Sequence, residues 1–377
     1  MRKVCIIQDE LLPGGATQVA ANIIKVLNAD GIKPDIYSYD TPPELSAKDF
    51  SSTYGLNATL RKVPDLGLKR VTLYKNYFLL KLLKGKLSNY DLVFNCGQCL
   101  SRWNSPPSLV NYIHFPYPLE LNEPGDYHSL NSIRKLYLMP LRWMNSDGTL
   151  CSDYGSVIAN SRFTKGIIES LYRGLKGKVS VIYPPVQLDL FWDENLHRKD
   201  TVTSIGRFEP QKRQLEQVQI AGQIPELTFL IAGFINSPIS EAYFNVCKRY
   251  ALSHNFTNIE FIPNIDKLQA KRFLHSSKYF LHTRPNEHFG ICIAEAIAAG
   301  AIPFVHNSGG QREIVVQDEL KFISVAEAVK KIRSIMHLND SDLARYRGEL
   351  QSHVKRYSVQ RFRNEIRTLI SNLSHMK

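Results

Sequence analysis

The segment 286–296 reads NEHFGICIAEA and lies between a predicted strand at 279–282 and a predicted helix at 292–299. A helix that follows a strand presents the free N–H groups of its first turn at the strand's carboxyl end, where they suit a phosphate. Gly290 carries no side chain there, so a ligand can approach the backbone closely. The segment therefore predicts a phosphate-binding turn in a chain that alternates strand and helix.

Two glutamates, Glu287 and Glu295, frame this turn. Eight residues would separate them by up to about 12 Å along a helix. Acids that far apart cannot share one proton transfer, but they can bind two hydroxylated ends of one long ligand. A nucleotide-sugar has that form, with a ribose at one end and a hexose at the other. The alternative is that Glu295 is a surface residue of the helix and Glu287 only a charge at its N-terminus.

The rest of the chain repeats the strand–helix alternation. Strands are predicted at 3–8, 35–39, 91–95, 109–114, 156–160, 179–183, 201–205, 227–232, 259–262, 279–282 and 302–306. Helices are predicted from Ala16 onward and at 215–220, 266–276 and 292–299. This succession predicts an α/β fold with parallel sheets wrapped by helices.

A proline pair divides the chain into two halves. Pro184 and Pro185 both resist the continuation of a helix or a strand ladder, which makes them a natural hinge. The predicted domains are 1–183 and 184–357. The remaining segment, 358–377, contains a basic amphipathic helix that we expect to pack back on the first domain.

The composition is that of an ordinary globular protein. The chain has 377 residues, of which 44% are apolar and 22% charged, with a net charge of +12. This composition argues against disorder, and the charge favours an anionic partner such as nucleic acid, an acidic membrane or a phosphate-bearing ligand. The N-terminal apolar stretch is too short for a signal peptide, and no window reaches the ~20 apolar residues that span a bilayer. We therefore expect a cytoplasmic location, with contact to a membrane surface left open.

The six cysteines indicate a reducing compartment, because several lie inside apolar runs, as Cys5 and Cys292 do. Cys96 and Cys99 have the spacing of a redox motif. No second cysteine pair completes a redox or metal site, so we interpret these two residues as part of the turn at the end of a parallel strand.

Five segments together resemble the retaining glycosyltransferases of family 4, which have the GT-B fold. Glu287 and Glu295 match the family's E-x7-E pattern, and Gly14-Gly15 matches its glycine-rich loop after the first strand. The other three segments are His114-Phe115-Pro116, which resembles the active-site histidine segment, Ser204 to Lys212, which resembles the diphosphate clamp, and Asn307 to Gly310, which resembles the loop that closes the nucleotide pocket. They occur in family order over nearly the whole chain.

The resemblance implies two Rossmann-like domains that face each other across a cleft. The first would bind the acceptor and the second the nucleotide-sugar. The segments 282–290 and 306–310 look most similar to eukaryotic enzymes that add α-1,2-mannose to dolichol-linked oligosaccharides from GDP-mannose. The implied function is transfer of a hexose, with mannose from GDP-mannose favoured, to a hydroxyl of a lipid-linked or envelope glycan.

The resemblance also assigns roles to single residues. His114 and Glu287 are implied to act beside the transferred sugar, with Glu287 holding sugar hydroxyls. The donor-binding residues are implied to be Gly14, Gly15, Arg207, Lys212, Phe289, Gly290 and Glu295. The family's route is a front-face attack by the acceptor hydroxyl as the diphosphate leaves, with no carboxylate nucleophile.

The residue chemistry fits these roles without a metal or a further cofactor. Arg207 offers a fixed fork of donors and Lys212 a point charge for the negative charge that develops on the departing diphosphate. The amides of Phe289 and Gly290 can add to that stabilisation. The sequence 340–342, Asp-Ser-Asp, has the look of a metal-binding pair, but its setting is that of a helix cap.

The chain departs from the resembling enzymes in two places. Those enzymes carry an N-terminal membrane anchor, and this sequence shows none. Their clamp often reads Glu-Lys-Gly, whereas here the segment reads Glu209-Pro210-Gln211-Lys212 and Arg213 replaces the glycine. These departures leave the fold expectation intact and bear on the identity of the donor sugar.

Two basic segments of the first half suit a lipid-linked acceptor. Residues 68–87 contain six Lys or Arg and no acid, with apolar residues at helical spacing, and residues 132–143 add Trp and Tyr beside basic residues. Such a pattern is typical of a helix that lies on an anionic membrane. A core helix with a lysine-covered outer face explains the pattern equally well.

Three other functions compete with this interpretation. A transferase that uses a UDP-sugar and a soluble or polysaccharide acceptor fits the same residues. A nucleic-acid-binding protein would explain the charge, but no recognised module or base-stacking stripe is present. A nicotinamide oxidoreductase is disfavoured because the first glycine loop lacks G-x-G-x-x-G.

Overall fold

The computed structural model describes residues 2–11, 14–40, 52, 54–61, 63, 82–83, 85–97, 108–116, 155–194 and 198–375. The chain divides into two compact units. Unit 1 comprises Met1–Pro185 together with Val359–Lys377, and unit 2 comprises Val186–Ser358. The first division thus follows directly after the proline pair that the sequence marks as a hinge.

Unit 1 contains a seven-stranded sheet in which all neighbouring strands are parallel, in the order β3-β2-β1-β4-β5-β6-β7. The strands are β1 Val4–Glu10, β2 Asp35–Asp40, β3 Thr59–Arg61, β4 Leu92–Asn95, β5 Ser108–Ile113, β6 Ser156–Ala159 and β7 Val179–Val181. Its helices with defined bounds before unit 2 are α1 Gly15–Ala29 and α2 Arg162–Leu171, residues 82–83 and 85–87 are also helical, and a short 3-10 turn lies at Arg173–Leu175. The central strands are apolar on both faces because helices cover a parallel sheet on both sides.

Unit 2 contains a six-stranded parallel sheet in the order β10-β9-β8-β11-β12-β13. Its strands are β8 Lys199–Arg207, β9 Thr228–Phe234, β10 Ile259–Pro263, β11 Ser277–His282, β12 Ile302–His306 and β13 Lys321–Phe322. Its helices are α3 Leu188–Phe191, α4 Gln214–Ala221, α5 Pro238–Ser253, α6 Lys267–Ser276, α7 Ile291–Ala298, α8 Gln311–Ile314, α9 Val325–Met336 and α10 Asp340–Val354. Short 3-10 turns lie at Pro210–Lys212, Asp318–Leu320 and Lys355–Tyr357.

The strand order of unit 2 reverses direction between β8 and β11, and this reversal positions the candidate site. In such doubly wound sheets, ligands bind outside the carboxyl ends of the strands at the point of reversal. Arg207 is the last residue of β8 and His282 the last residue of β11. The loops that follow these two residues therefore share one edge of the sheet.

The final helix, α11 Val359–His375, belongs to unit 1 although its sequence follows unit 2. Its apolar face, formed by Phe362, Ile366 and Ile370, is buried in the same core as α1. Arg363 donates two hydrogen bonds, of 2.9 and 3.0 Å, to the side-chain oxygen of Asn22 on α1. The amphipathic pattern at 358–373 thus serves to cover the first sheet.

The predicted α/β class is confirmed, and most strand positions agree with the structure. Among the described residues, the sequence patterns did not reveal the edge strands β3 and β13 or the helices α2, α3, α5, α8 and α9, while the cap-like segment 340–342 marks the start of α10. One premise was wrong: α7 begins at Ile291, so Glu287 lies in the preceding loop and helical spacing does not relate it to Glu295.

The basic segment 68–87 is described only near its end. Leu83 and Leu87 are fully buried against β1, β4 and β5, which agrees with a core helix there. Residues 68–81, the second basic segment at 132–143, Cys99 and Cys151 lie outside the described residues. Cys5, Cys96 and Cys247 are buried free thiols and Cys292 is partly buried.

Candidate functional site

The loop after β8 carries two of the predicted site residues. Arg207 ends the strand, is half exposed, and forms an ion pair of 3.0 Å with Glu209. The amide of Gln211 donates to the same carboxylate at 2.7 Å. The backbone N–H of Lys212 donates to the Glu209 carbonyl at 2.8 Å, so one short 3-10 turn organises the whole loop.

Arg213 holds the left-handed conformation, with φ 54° and ψ 40°. A residue with a Cβ is strained in this region by about 1 kcal/mol, and glycine is not. This explains physically why the resembling enzymes often have glycine at this position. The hydroxyl of Thr283 holds the loop here, because it donates to the carbonyls of Lys212 (2.9 Å) and Arg213 (3.1 Å).

Glu287 is the centre of a buried charge cluster. Its carboxylate pairs with the Lys212 ammonium at 2.7 Å and lies 3.6 Å from the Arg284 guanidinium. The backbone N–H of His288 donates to it at 3.2 Å. Burial alone would raise the pKa of Glu287, but the two cations hold that pKa well below its usual value. Glu287 is therefore an ionised acceptor throughout the physiological pH range.

His282, at the end of β11, connects this carboxylate to the neighbouring strand. Its Nε2 lies 3.3 Å from Glu287 Oε2, and its Nδ1 lies 3.0 Å from the side-chain oxygen of Gln311. The Gln311 amide nitrogen in turn donates to the Arg284 carbonyl at 2.9 Å. Burial, with smaller contributions from Lys212 and Arg284, lowers the pKa of His282.

The loop after β12 supports the Glu287 loop through backbone contacts. The Gly310 N–H donates to the Glu287 carbonyl at 2.7 Å, and the Ser308 hydroxyl accepts from the Asn286 N–H at 2.7 Å. A Cβ at Gly309 would lie 2.5 Å from the Glu287 carbonyl oxygen, and Gly309 also has a φ of +72°. Glycine is therefore required here because the two loops approach each other at backbone distance.

Phe289 and Gly290 introduce α7. The Phe289 side chain is buried and packs edge-on against Tyr357, with ring centroids 5.1 Å apart. Only its backbone can therefore serve a ligand. Gly290 is the N-cap of α7 with a φ of 107°, and it provides no side-chain cap. The helix thus presents backbone N–H groups, the positive end of its dipole, at the edge of the charge cluster.

Glu295 lies one turn inside α7 and differs electrostatically from Glu287. Burial raises the pKa of Glu295 to about 7, and the attraction of Lys267 offsets only part of that effect. Burial raises the pKa of the neighbouring Cys292 thiol to about 12, with smaller electrostatic contributions from Lys212, Glu287 and Glu295. The first two turns of α7 therefore carry a protonatable carboxyl and a neutral thiol beside the charged cluster.

Unit 1 contributes three predicted residues at the carboxyl ends of its own strands. Gly14 is the exposed N-cap of α1 and Gly15 its first residue, so that helix also begins without a side-chain cap. His114 directly follows β5, and its ring lies against Tyr112 with centroids 5.2 Å apart. Burial lowers the pKa of His114 to about 4. Its Nε2 is buried and has no hydrogen-bond partner among the described residues.

The structure thus brings Lys212, Glu287, Gly290 and Glu295 to one edge of the second sheet, with Arg207 on the same loop as Lys212. His282, Arg284 and Gln311 belong to this cluster but were not predicted as site residues. The described residues contain no group of three or more His, Cys, Asp or Glu side chains placed to hold a metal ion. At Asp340 and Asp342, α10 begins, and Asn339 rather than an aspartate caps it.

Two family models match the chain. One described as Glycosyltransferase Family 4 matches residues 13–190, and one described as Glycosyl transferases group 1 matches residues 187–372. The two matches meet where unit 1 gives way to unit 2, and together they span nearly the whole chain.

Known proteins agree with these models. The chain is 30% identical over 235 residues to the GDP-Man:Man(3)GlcNAc(2)-PP-Dol alpha-1,2-mannosyltransferase of Mus musculus, covering 56% of this chain and 47% of the relative. It is 25% identical over 322 residues to the Alpha-1,3/1,6-mannosyltransferase ALG2 of Yarrowia lipolytica, covering 73% and 68%. The chain therefore spans about half the length of the mouse relative.

A solved structure shows the same fold. The crystal structure of Anabaena HepE in complex with UDP-glucose superimposes with a TM-score of 0.73 at 16% identity, covering 99% of this chain and all of that one. Identity this low shows the fold alone. The described residues include no helix with both the length and the apolar character needed to cross a membrane.

Proposed function

The chain belongs to the glycosyltransferases whose two halves the family 4 and group 1 models describe, and we propose that it is a retaining hexosyltransferase that uses a nucleotide-sugar. The observation that carries the proposal is the Lys212–Glu287 pair at the N-terminus of α7. A cation, an ionised carboxylate and open helix amides meet there at the switch point of the sheet. This combination suits a ligand that has both a diphosphate and sugar hydroxyls.

The cations would bind the diphosphate. When the sugar leaves, negative charge develops on the terminal phosphate, and Lys212 and the α7 amides stabilise it without reorganisation because they are held in place. Arg207 is half exposed and its partner Glu209 is held by Gln211 as well, so the guanidinium can contact a phosphate while it keeps one bond to Glu209. Arginine has five N–H donors, which allows such sharing.

Glu287 would bind the hexose. An ionised carboxylate accepts hydrogen bonds but donates none, so it selects hydroxyls and repels a bare phosphate. The low pKa of Glu287 also means that it is a poor proton acceptor. It therefore orients the sugar rather than serving as a general base.

Glu295 would bind the ribose at the other end of the donor. Its raised pKa reflects burial of the carboxyl, which the attraction of Lys267 offsets only in part. Two ribose hydroxyls would donate hydrogen bonds to the ionised form, so nucleoside binding and ionisation of Glu295 favour each other. The two glutamates would then bind the two sugars of one nucleotide-sugar, the hexose and the ribose.

His114 would act from unit 1 as a neutral group. Because its pKa is lowered to about 4, the ring carries no charge at neutral pH. Its buried Nε2 has no described partner and could form a hydrogen bond with a ligand hydroxyl. Gly14 and Gly15 leave the first amides of α1 open within the same unit.

The relatives favour GDP-mannose as donor and a lipid-linked glycan as acceptor, since the names of the mouse and yeast relatives specify mannose transfer. A UDP-sugar is the second candidate, because the structurally similar HepE binds UDP-glucose. An acceptor on a lipid would suit a chain that rests on an anionic membrane, for which residues 68–87 provide six cations.

A donor panel tests the proposal. The purified chain is incubated with GDP-mannose, UDP-glucose and UDP-N-acetylglucosamine and a lipid-linked acceptor pool, and the anomeric configuration of the product is determined. We expect transfer from GDP-mannose with retention. Transfer from a UDP-sugar alone would identify that UDP-sugar as the donor in place of GDP-mannose. A product of inverted anomeric configuration would contradict the assignment to retaining enzymes.

Single variants test the site. Glu287→Ala should remove transfer with the circular dichroism spectrum unchanged, and Arg207→Ala should weaken GDP binding by roughly tenfold or more, since a charge-assisted hydrogen bond contributes about 1.5–3 kcal/mol. Arg272→Ala, at an exposed position of α6, is the matched control and should change neither. Full activity of Glu287→Ala would refute the site.

A further inference from the structure

The side chains of Gln311 and His282 form a relay between a carbonyl and a carboxylate. The relay runs from the Arg284 carbonyl to the Gln311 amide (2.9 Å), then to His282 (3.0 Å), then to Glu287 (3.3 Å). Gln311 is fully buried and His282 is 4% exposed, so solvent does not replace these contacts. The relay lies entirely within unit 2.

Each of the three contacts needs one hydrogen, and both ends of the relay are acceptors. The Arg284 carbonyl and the ionised Glu287 carboxylate only accept hydrogen bonds. The Gln311 amide donates from its nitrogen end alone, and a neutral imidazole has one N–H. Two hydrogens must therefore serve three contacts.

No rearrangement of a neutral relay removes this deficit. With the amide nitrogen toward Arg284, His282 must donate from Nδ1 to the amide oxygen, which leaves a lone pair on Nε2 facing Glu287. With the opposite tautomer, two acceptors face each other between His282 and Gln311. With the amide reversed, the Gln311 oxygen faces the Arg284 carbonyl oxygen, so two acceptors meet there. Only an imidazolium, which donates from both nitrogens, fills all three contacts.

We propose that His282 takes up a proton from solvent when the anionic donor binds, and that the resulting imidazolium fixes Glu287 for the sugar. The proposal rests on the donor site proposed above. In the free site, burial and then the cations Lys212 and Arg284 oppose a positive charge on this ring, while Glu287 favours it; His282 in turn lowers the pKa of the half-buried His306. A bound diphosphate brings one negative charge on each phosphate and shifts that balance.

The sign of the pH dependence follows from linkage. A histidine whose pKa rises on binding takes up a proton, so the affinity for the donor increases as the pH falls from the bound-state pKa to the free-state pKa. The dissociation constant changes by up to about tenfold per pH unit in that window and is constant outside it. Ionisation of Glu295 on binding would release a proton and act in the opposite direction, so the contribution of His282 must be measured as a difference.

Calorimetry measures that difference. GDP-mannose and UDP-glucose are used as probes because neither diphosphate diester titrates near neutral pH. Each is titrated at pH 7.5 in two buffers of different ionisation enthalpy, which gives the number of protons taken up. His282→Gln is the decisive variant, since its amide still donates to Glu287 but does not titrate.

We expect the wild-type chain to take up more protons on donor binding than His282→Gln does. We also expect the dissociation constant of the wild type to decrease toward lower pH and that of the variant to lack this decrease. His254→Gln, at an exposed site at the end of α5, should behave as the wild type. Equal proton uptake in wild type and His282→Gln would overturn the inference, as would loss of the difference in His306→Gln alone. If neither probe binds, the proposed donor site itself fails along with the inference.

Discussion

Glu295→Gln should make the chain more stable at pH 8 while it weakens the binding of the nucleotide. The glutamate has a pKa of about 7 in the folded chain because burial opposes its charge, against an ordinary value of 4.5. Glutamine keeps the shape of the protonated form and cannot ionise. The substitution therefore removes the cost of a buried charge.

The magnitude follows from the two pKa values. Below pH 4.5 both the folded and the unfolded chain carry a protonated Glu295, so the substitution changes little. Between pH 4.5 and 7 the unfolded chain ionises first, and the folded chain loses about 1.4 kcal/mol of stability per pH unit. Above pH 7 the loss is complete, so Glu295→Gln should raise the free energy of unfolding by at most about 3 kcal/mol.

Urea denaturation at pH 5 and pH 8 measures this effect, and titration with GDP measures the functional cost. Glu226→Gln, the same substitution at an exposed loop residue, is the matched control and should stay within about 0.5 kcal/mol of wild type. A variant at Glu295 that is equally stable or less stable at pH 8 would refute the electrostatic argument. An unchanged GDP affinity would refute the ribose contact.

Three further substitutions test the construction of unit 2. Gly309→Ala should reduce transfer more than it reduces the melting temperature, because a Cβ 2.5 Å from the Glu287 carbonyl oxygen displaces the site loop; kinetics beside a thermal melt would show this, and a normal kcat would count against it. Arg213→Gly should leave stability within about 1 kcal/mol, since relief of the left-handed backbone offsets loss of the partly exposed ion pair with Glu216; urea denaturation measures it, and a larger loss would show that the pair matters more than the strain. Arg198→Ala should cost about 3–5 kcal/mol, because it removes the buried cation 3.0 Å from the Asp193 carboxylate and the donor that the buried Leu274 carbonyl accepts from; a loss below about 1 kcal/mol in the same assay would contradict that reasoning.

The sequence was informative wherever one residue pattern decided one element. Apolar runs with short turns predict β8 and β11, and the residues that follow them include the predicted phosphate-binding turn and diphosphate clamp. The pattern fails for β13, which has two residues and is defined only by its pairing with Val305 and His306. It also fails for α5, whose helical face is only weakly apolar. Such elements owe their structure to tertiary contacts, which a local pattern does not contain.

The candidate site likewise contains residues that the sequence identifies and residues that only the structure reveals. Glu287, Lys212 and Arg207 could be named from the sequence because each belongs to a short motif with its own chemical reason. Arg213 was recognised only as a replaced glycine, and the backbone angle that makes the replacement matter required the structure. Gln311 gave no signal, because its function depends on two partners 27 and 29 residues away.

The protonation of the site is the property that lies furthest from the sequence. Glu287 and Glu295 look alike in the E-x7-E pattern, yet the structure lowers the pKa of one and raises that of the other. The difference arises because Lys212 and Arg284 reach Glu287, whereas Lys267 is the one cation among the described residues that acts on Glu295. A site that binds both a diphosphate and two sugars benefits from this asymmetry. In the proposed site, the ionised Glu287 would orient the hexose beside the leaving phosphate, and ribose hydroxyls would favour the charged form of Glu295 over the neutral form.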